Sequence, residues 1–130
     1  MSGEPAATGA VTGGLRWILR FEGAALAIGA AFFFWRGGNS WLLFALLFFA
    51  PDLSFLAYLL SPRVGAAVYN LVHTTLAPLA LLGCAILTAN PLGQSIALIW
   101  LAHVGADRAL GYGLKYATAF GDTHLGHIGR

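Results

Sequence analysis

Ile99-Trp100-Leu101-Ala102-His103-Val104-Gly105-Ala106-Asp107-Arg108 is the stretch on which the reading of this chain turns. It lies in an apolar segment of membrane-spanning length, and a spacing of four puts His103 and Asp107 on one face of a helix. Ionisable groups at such a depth are costly, so they face the protein interior and take a partner. A histidine with a carboxylate is a metal-ligand pair or an acid–base pair. The composition agrees with a membrane setting. Of 130 residues, 58% are hydrophobic and 9% charged, and mean hydropathy is +0.76. A soluble domain is about 45–50% apolar and about 25% charged. The expected fold class is therefore all-α, an integral membrane up-down four-helix bundle with the lipid bilayer as its partner. The formal charge of +2 is small and the arginines are scattered, which excludes a nucleic-acid surface and suits anionic lipid near helix ends. Cys84 is the single cysteine, so no internal disulfide forms, and it is expected to pack as a small hydrophobe.

Four apolar segments give the bundle. Residues 1–14 are small, polar and glycine-rich and read as a flexible tail. Ala25-Leu26-Ala27 has the look of a signal-cleavage site, but Arg20 and Glu22 interrupt the apolar run it needs. The first span, about Leu15 to Trp35, is therefore read as retained. Arg36-Gly37-Gly38-Asn39-Ser40 ends it with turn chemistry. The second runs from about Trp41 to Leu60, the third from about Val64 to Thr88 and the fourth from about Gln94 to Gly113. The transmembrane domain thus covers 15–113, and 114–130 form an interfacial tail. Arg16, Arg20, Arg63, Arg108, Lys115 and Arg130 share one side, against Arg36 on the other. The positive-inside rule then puts both termini in the cytoplasm. Trp17, Trp35 and Trp41 at span ends form an aromatic belt.

Depth along the membrane normal follows from the ~1.5 Å rise per helical residue. Measured from the cytoplasmic helix ends, Glu22 lies roughly 10 Å in, Asp52 and His73 roughly 13 Å, His103 roughly 15 Å, and Asp107 and Asn70 roughly 9 Å. Every span contributes a polar group to one layer. An unpaired carboxylate in hydrocarbon costs roughly 2.5–3.5 kcal/mol on insertion scales. Carboxylates alone repel, so the layer needs a cation: a divalent metal, a shared proton or Arg108. Pro51, just before Asp52, and Pro78, five residues after His73, predict kinks beside this layer.

Each group also has a plain structural reading. His103 and Asp107 would tighten helix packing. His73 would be a hydrogen-bonded core histidine. Glu22 would pair with Arg20 or snorkel to the interface. The prolines would be ordinary membrane-helix residues. His124 and His127 would ligate a metal if locally helical, or form a solvated tail, and Asp122 would cap a short helix. Gly105, Gly111 and Gly113 read as close-packing positions, and Phe32-Phe33-Phe34 and Phe48-Phe49 as lipid-facing or core.

Four blocks carry a resemblance: Pro51-Asp52-Leu53-Ser54, Tyr69-Asn70-Leu71-Val72-His73, His103 through Tyr116, and Asp122-Thr123-His124-Leu125-Gly126. Together they resemble a small bacterial membrane family catalogued as domain of unknown function 4260, from about Leu15 to the end of the chain. The resemblance implies a multi-pass protein of the bacterial inner membrane and carries no activity. The order Pro-Asp, His, His-x-x-x-Asp is also similar to the inner-membrane metal-dependent hydrolases. That similarity implies Asp52, His73, His103 and Asp107 as metal ligands. Ser54 stands where those hydrolases have a second aspartate, which implies one metal or none rather than two. The leading expectation is one divalent ion, zinc or a neighbour in the series, with Glu22 or Asp52 taking the proton of a water in hydrolysis of a lipid-like substrate. A non-enzymatic layer, serving as a proton or ion relay or as a polar seam in a homo-oligomer, is the second reading. Haem between His73 and His103 is a third, which the neighbouring carboxylates oppose.

Overall fold

The computed structural model describes residues 13–112, residue 114, and the backbone of Asp122–Thr123 and Gly126–His127. Helix α1 runs from Gly13 to Arg36, α2 from Trp41 to Leu47, a 3₁₀ helix from Ala50 to Leu59, α3 from Pro62 to His73, α4 from Leu76 to Leu87 and α5 from Pro91 to Ala109. The expected second span is thus α2 plus the 3₁₀ helix, and the expected third is α3 plus α4. Three stretches are long and apolar enough to cross a membrane: Gly13–Arg36, Trp41–Leu59 and Pro62–Leu87. Helix α5 is not among them, because Gln94, His103, Asp107 and Arg108 lower its hydropathy; it is instead the shielded helix of the bundle. Eight of its residues, Ser95, Ala97, Ile99 and Leu101 through Gly105, are buried, and it packs against α1, α4 and, more lightly, α2. Helix α3 packs on the 3₁₀ helix. The outward faces are apolar, with Leu59 84% and Leu87 88% exposed. Large side chains left bare to this extent suit a surface that faces hydrocarbon.

Helix ends form where local chemistry places them. The Ser40, Ser61 and Asn90 side chains accept from the Leu43, Val64 and Gly93 amides, satisfying N–H groups left over in a first turn. Pro62 and Pro91 follow two of these caps, where the missing N–H costs nothing. Helix α5 closes with Gly111 at φ +90°. There the Tyr112 amide bonds the Asp107 carbonyl at 2.7 Å and the Gly111 amide bonds the Arg108 carbonyl at 3.1 Å, a Schellman closure. Gly111 therefore serves a turn as well as the close packing expected of it, since a methyl group there would lie 3.1 Å from Arg16 Nη2, and Gly113 lies outside the described residues. Gly105 does pack closely. A methyl group there would lie 2.6 Å from both the Ala27 amide nitrogen and the Gly23 carbonyl oxygen of α1. Gly105 is two residues from His103, roughly 200° around the helix, so α1 grips α5 on the side away from His103.

The expected kink near Pro78 is a complete break, and that at Pro51 is a change from α to 3₁₀ register through Phe48 and Phe49, which stay in right-handed helical backbone. Pro51 has no N–H for the Leu47 carbonyl, and α2 stops at Leu47. The chain resumes in the tighter register, with the Asp52 amide on the Phe49 carbonyl at 3.0 Å. Ten residues of 3₁₀ helix far exceed the usual run of about three or four. Pro78 likewise has no N–H for the Thr74 carbonyl. Helix α3 ends at His73, Thr74 is extended (φ −76°, ψ 156°), and α4 begins at Leu76. Cys84 is exposed on α4 rather than packed inside. Phe34 is fully buried, while Phe32 and Phe33 face outward. Near the C-terminus, Asp122–Thr123 pairs antiparallel with Gly126–His127. Extended backbone there removes the short helix that Asp122 would have capped and that would have brought His124 and His127 together. The His124 position itself lies outside the described residues.

Candidate metal centre

A change of helical register, a helix break and one unbroken helix build the site. Asp52 stands at the start of the 3₁₀ helix, His73 at the last position of α3, and His103 and Asp107 one turn apart on α5. One ligand atom from each of the four lies within 4.8 Å of all the others. His73 Nε2 is 3.2 Å from Asp52 Oδ1, and His103 Nε2 is 3.1 Å from the same oxygen. Asp107 Oδ2 is 3.6 Å from His73 Nε2 and 3.2 Å from His103 Nε2. The two Nε2 atoms are 3.2 Å apart. These are five of the six edges of a tetrahedron. Ligands at ~2.0–2.1 Å from a tetrahedral ion would stand ~3.3–3.4 Å from one another, which is the spacing seen.

Proton accounting tests the fit. His73 Nδ1 lies 3.0 Å from the Tyr69 carbonyl oxygen. A carbonyl only accepts, so Nδ1 carries the proton, and in the neutral ring Nε2 is a bare lone pair. That lone pair faces two carboxylate oxygens and a second imidazole nitrogen. His103 Nδ1 is buried without a hydrogen-bond partner, so its ring proton is free to sit on Nε2 and donate into the cluster; with Nε2 bare, the four electron-rich atoms repel unless a cation joins them. A divalent ion with two neutral histidines and two carboxylates sums to zero charge, which suits a site shut away from water. The Tyr69 carbonyl is the partner that fixes a ligand histidine's tautomer and orientation. The histidine side chains are nearly sealed, at 3% and 1% exposure, while Asp52 keeps 31% and Asp107 18%. Access is therefore from the carboxylate edge. The Nε2–Nε2 contact leaves no room for a macrocycle between the rings, which excludes haem there.

Aromatic rings wall the histidines. Tyr69 stacks on His73 with ring centroids 3.7 Å apart and planes 9° off parallel, and Phe55 stacks on Tyr69 at 5.3 Å. Phe48 meets His103 edge-on at 5.2 Å. Ser54 donates to the Pro51 carbonyl at 2.8 Å, steadying the turn that carries Asp52. The break after His73 strands two carbonyls, and α5 takes both. Trp100 Nε1 donates to the Val72 carbonyl at 2.6 Å, and Arg108 Nη2 to the His73 carbonyl at 3.1 Å. Arg108 thus braces the backbone of a histidine instead of sitting between carboxylates. Trp100 and Tyr69 are supporting residues that depth alone could not single out. The signal was their spacing, with Tyr69 four residues before His73 and Trp100 three before His103, which shares faces with each.

Glu22 stands apart from the four. It is exposed on α1, next to buried Gly23. One residue turns a helix by ~100°, so Gly23 facing α5 turns Glu22 outward. Nor does Arg20 bond it: the Arg20 guanidinium lies over the Trp17 ring and donates to the Ala109 carbonyl at 2.8 Å, at the end of α5.

No curated protein and no solved structure matches the chain significantly. The sequence profile of one family does match, over residues 16–128, and it contains every residue of the cluster. The chain belongs to that family, described as a domain of unknown function (DUF4260).

Proposed function

We propose that this protein is a small intramembrane metalloprotein that binds one divalent ion, zinc or a neighbour in the series, and hydrolyses a lipid-like substrate in the bacterial inner membrane. One observation carries the metal reading: five ligand-to-ligand distances of 3.1–3.6 Å among Asp52, His73, His103 and Asp107. Six-coordinate oxygen sites suit magnesium and calcium, whereas two imidazoles with two carboxylates suit zinc, iron or manganese. When bound, such an ion polarises an oxygen substituent of a substrate and makes nearby water more acidic.

The chain's own residues do the rest. His73 and His103 hold the ion from the sealed side, with the Tyr69 carbonyl orienting His73. Asp52, the more accessible carboxylate, takes a proton from attacking water as general base. Ser54, in place of a second aspartate, spends its hydroxyl on the Pro51 carbonyl, in keeping with a single ion. The loop charges support both termini in the cytoplasm, with the carboxylate edge in the cytoplasmic half of the bilayer.

Metal content after gentle purification tests the proposal. Wild-type protein is expected to carry close to one ion per chain, and His103→Ala and His73→Ala far less. Equal trace amounts in all three would sink the metal reading. Ester hydrolysis that survives in Asp52→Asn with full metal content would sink the assignment of the base.

A further inference from the structure

The register change at Pro51 and the break after His73 leave a cavity of about 270 Å³ beside the cluster, lined by Leu47, Ala50, Pro51, Val72, Ile99 and Trp100, with Ile96. Its walls adjoin the ligands in sequence. Pro51 precedes Asp52, Val72 precedes His73, and Ile99 lies one helical turn before His103 on the same face. Trp100 is the one lining side chain with a polar hydrogen, and that hydrogen is already engaged by the Val72 carbonyl. A cavity so lined stays dry. Its volume falls below the ~300 Å³ lower end of common small-molecule sites, which suits a slender chain rather than a ring system. The cavity reaches the surface at exposed Ala50, between Leu46, Phe49 and Leu53, which are 67–69% exposed. That surface lies in the middle of a stretch apolar enough to cross a membrane, so hydrocarbon is what stands at the opening.

We infer that this cavity is the seat of a single alkyl chain, which enters sideways from the bilayer at Ala50 and brings its polar head to the Asp52 edge of the cluster. The ligand class is an amphiphile with one slender chain and a carboxylate, phosphate or ester head. The inference rests on the metalloprotein reading for the head and on the cavity for the chain.

Photolabelling tests this in lipid nanodiscs of phosphatidylcholine, with palmitic acid carrying a diazirine near its methyl end as probe. In wild-type protein the label should concentrate on the peptides with Leu47–Pro51, Val72 and Ile96–Trp100, and excess unlabelled palmitate should remove it. Ala50→Trp, a change at an exposed position, should abolish that labelling. Ile96→Phe, which narrows the cavity from α5, should weaken it. Even labelling of Leu46, Leu53 and Leu71, unchanged by either variant, overturns the inference. Metal content of the same samples separates the two claims. Metal bound without cavity labelling overturns the alkyl-chain site alone. Cavity labelling in a protein that never binds metal upholds the site and overturns the metalloprotein reading.

Discussion

Asp107→Asn separates a metal site from a merely polar cluster, because its effect should differ with and without metal. Asparagine keeps the shape of the side chain and removes one negative charge. The ligand oxygens of Asp52 and Asp107 are no more than 4.8 Å apart, so two ionised carboxylates there repel by at least ~3.5 kcal/mol at an effective dielectric of ~20. Asp52 is 31% exposed, and solvent screening lowers the net effect to ~1–3 kcal/mol. In chelator at pH 8, Asp107→Asn should therefore be more stable than wild type by that amount. A zinc concentration of ~100 times Kd should stabilise wild type by ~2.7 kcal/mol and the variant by much less. The assay is thermal unfolding in detergent, with and without metal, where each kcal/mol moves the midpoint by a few degrees. A variant less stable than wild type in chelator, with an undiminished response to zinc, would refute the reasoning.

Five further substitutions have expected outcomes. Pro78→Ala supplies an N–H for the Thr74 carbonyl, lets α3 run into α4 and should lower zinc affinity, read by titration, while helix content rises in circular dichroism. Trp100→Phe leaves the Val72 carbonyl without its indole donor and should destabilise by ~0.6–1.7 kcal/mol, the range for polar contacts between membrane helices. Ala89 holds φ +52° after α4, where its amide bonds the Ile86 carbonyl and Asn90 bonds the Ala85 carbonyl; Ala89→Gly should stabilise by ~1 kcal/mol and Gly111→Ala should destabilise by a similar amount, both in unfolding scans. Gly105→Leu forces α1 off α5 and should destabilise by ~1–3 kcal/mol or more, lowering the midpoint with and without metal alike.

Breakers act within a few residues, so Pro51 and Pro78 were readable as they stand, whereas the third and fourth spans, expected from Val64 and Gln94, start earlier, at Pro62 and Pro91 behind the caps Ser61 and Asn90. The gathering of Asp52, His73, His103 and Asp107 was readable too, because depth in a bilayer is close to a count of residues. Glu22 shared that depth and still faces outward. Its azimuth depends on which side of α1 meets α5, and Gly23, not Glu22, supplies the flat surface for that contact. The His124 and His127 expectation assumed helical backbone where the chain is extended at 122–123 and 126–127.

The sequence by itself determined the apolar spans and the level at which ionisable groups lie, since hydropathy and helical rise are local. Tertiary structure alone decided that α5 is the shielded helix and that the interruptions of the second and third spans face each other. It also decided that Trp100 and Arg108 take the carbonyls stranded beside His73 and that four ligand atoms meet at 3.1–3.6 Å. Rotation about each helix axis and the close approach of neighbours fix such contacts, and both arise only when the helices pack.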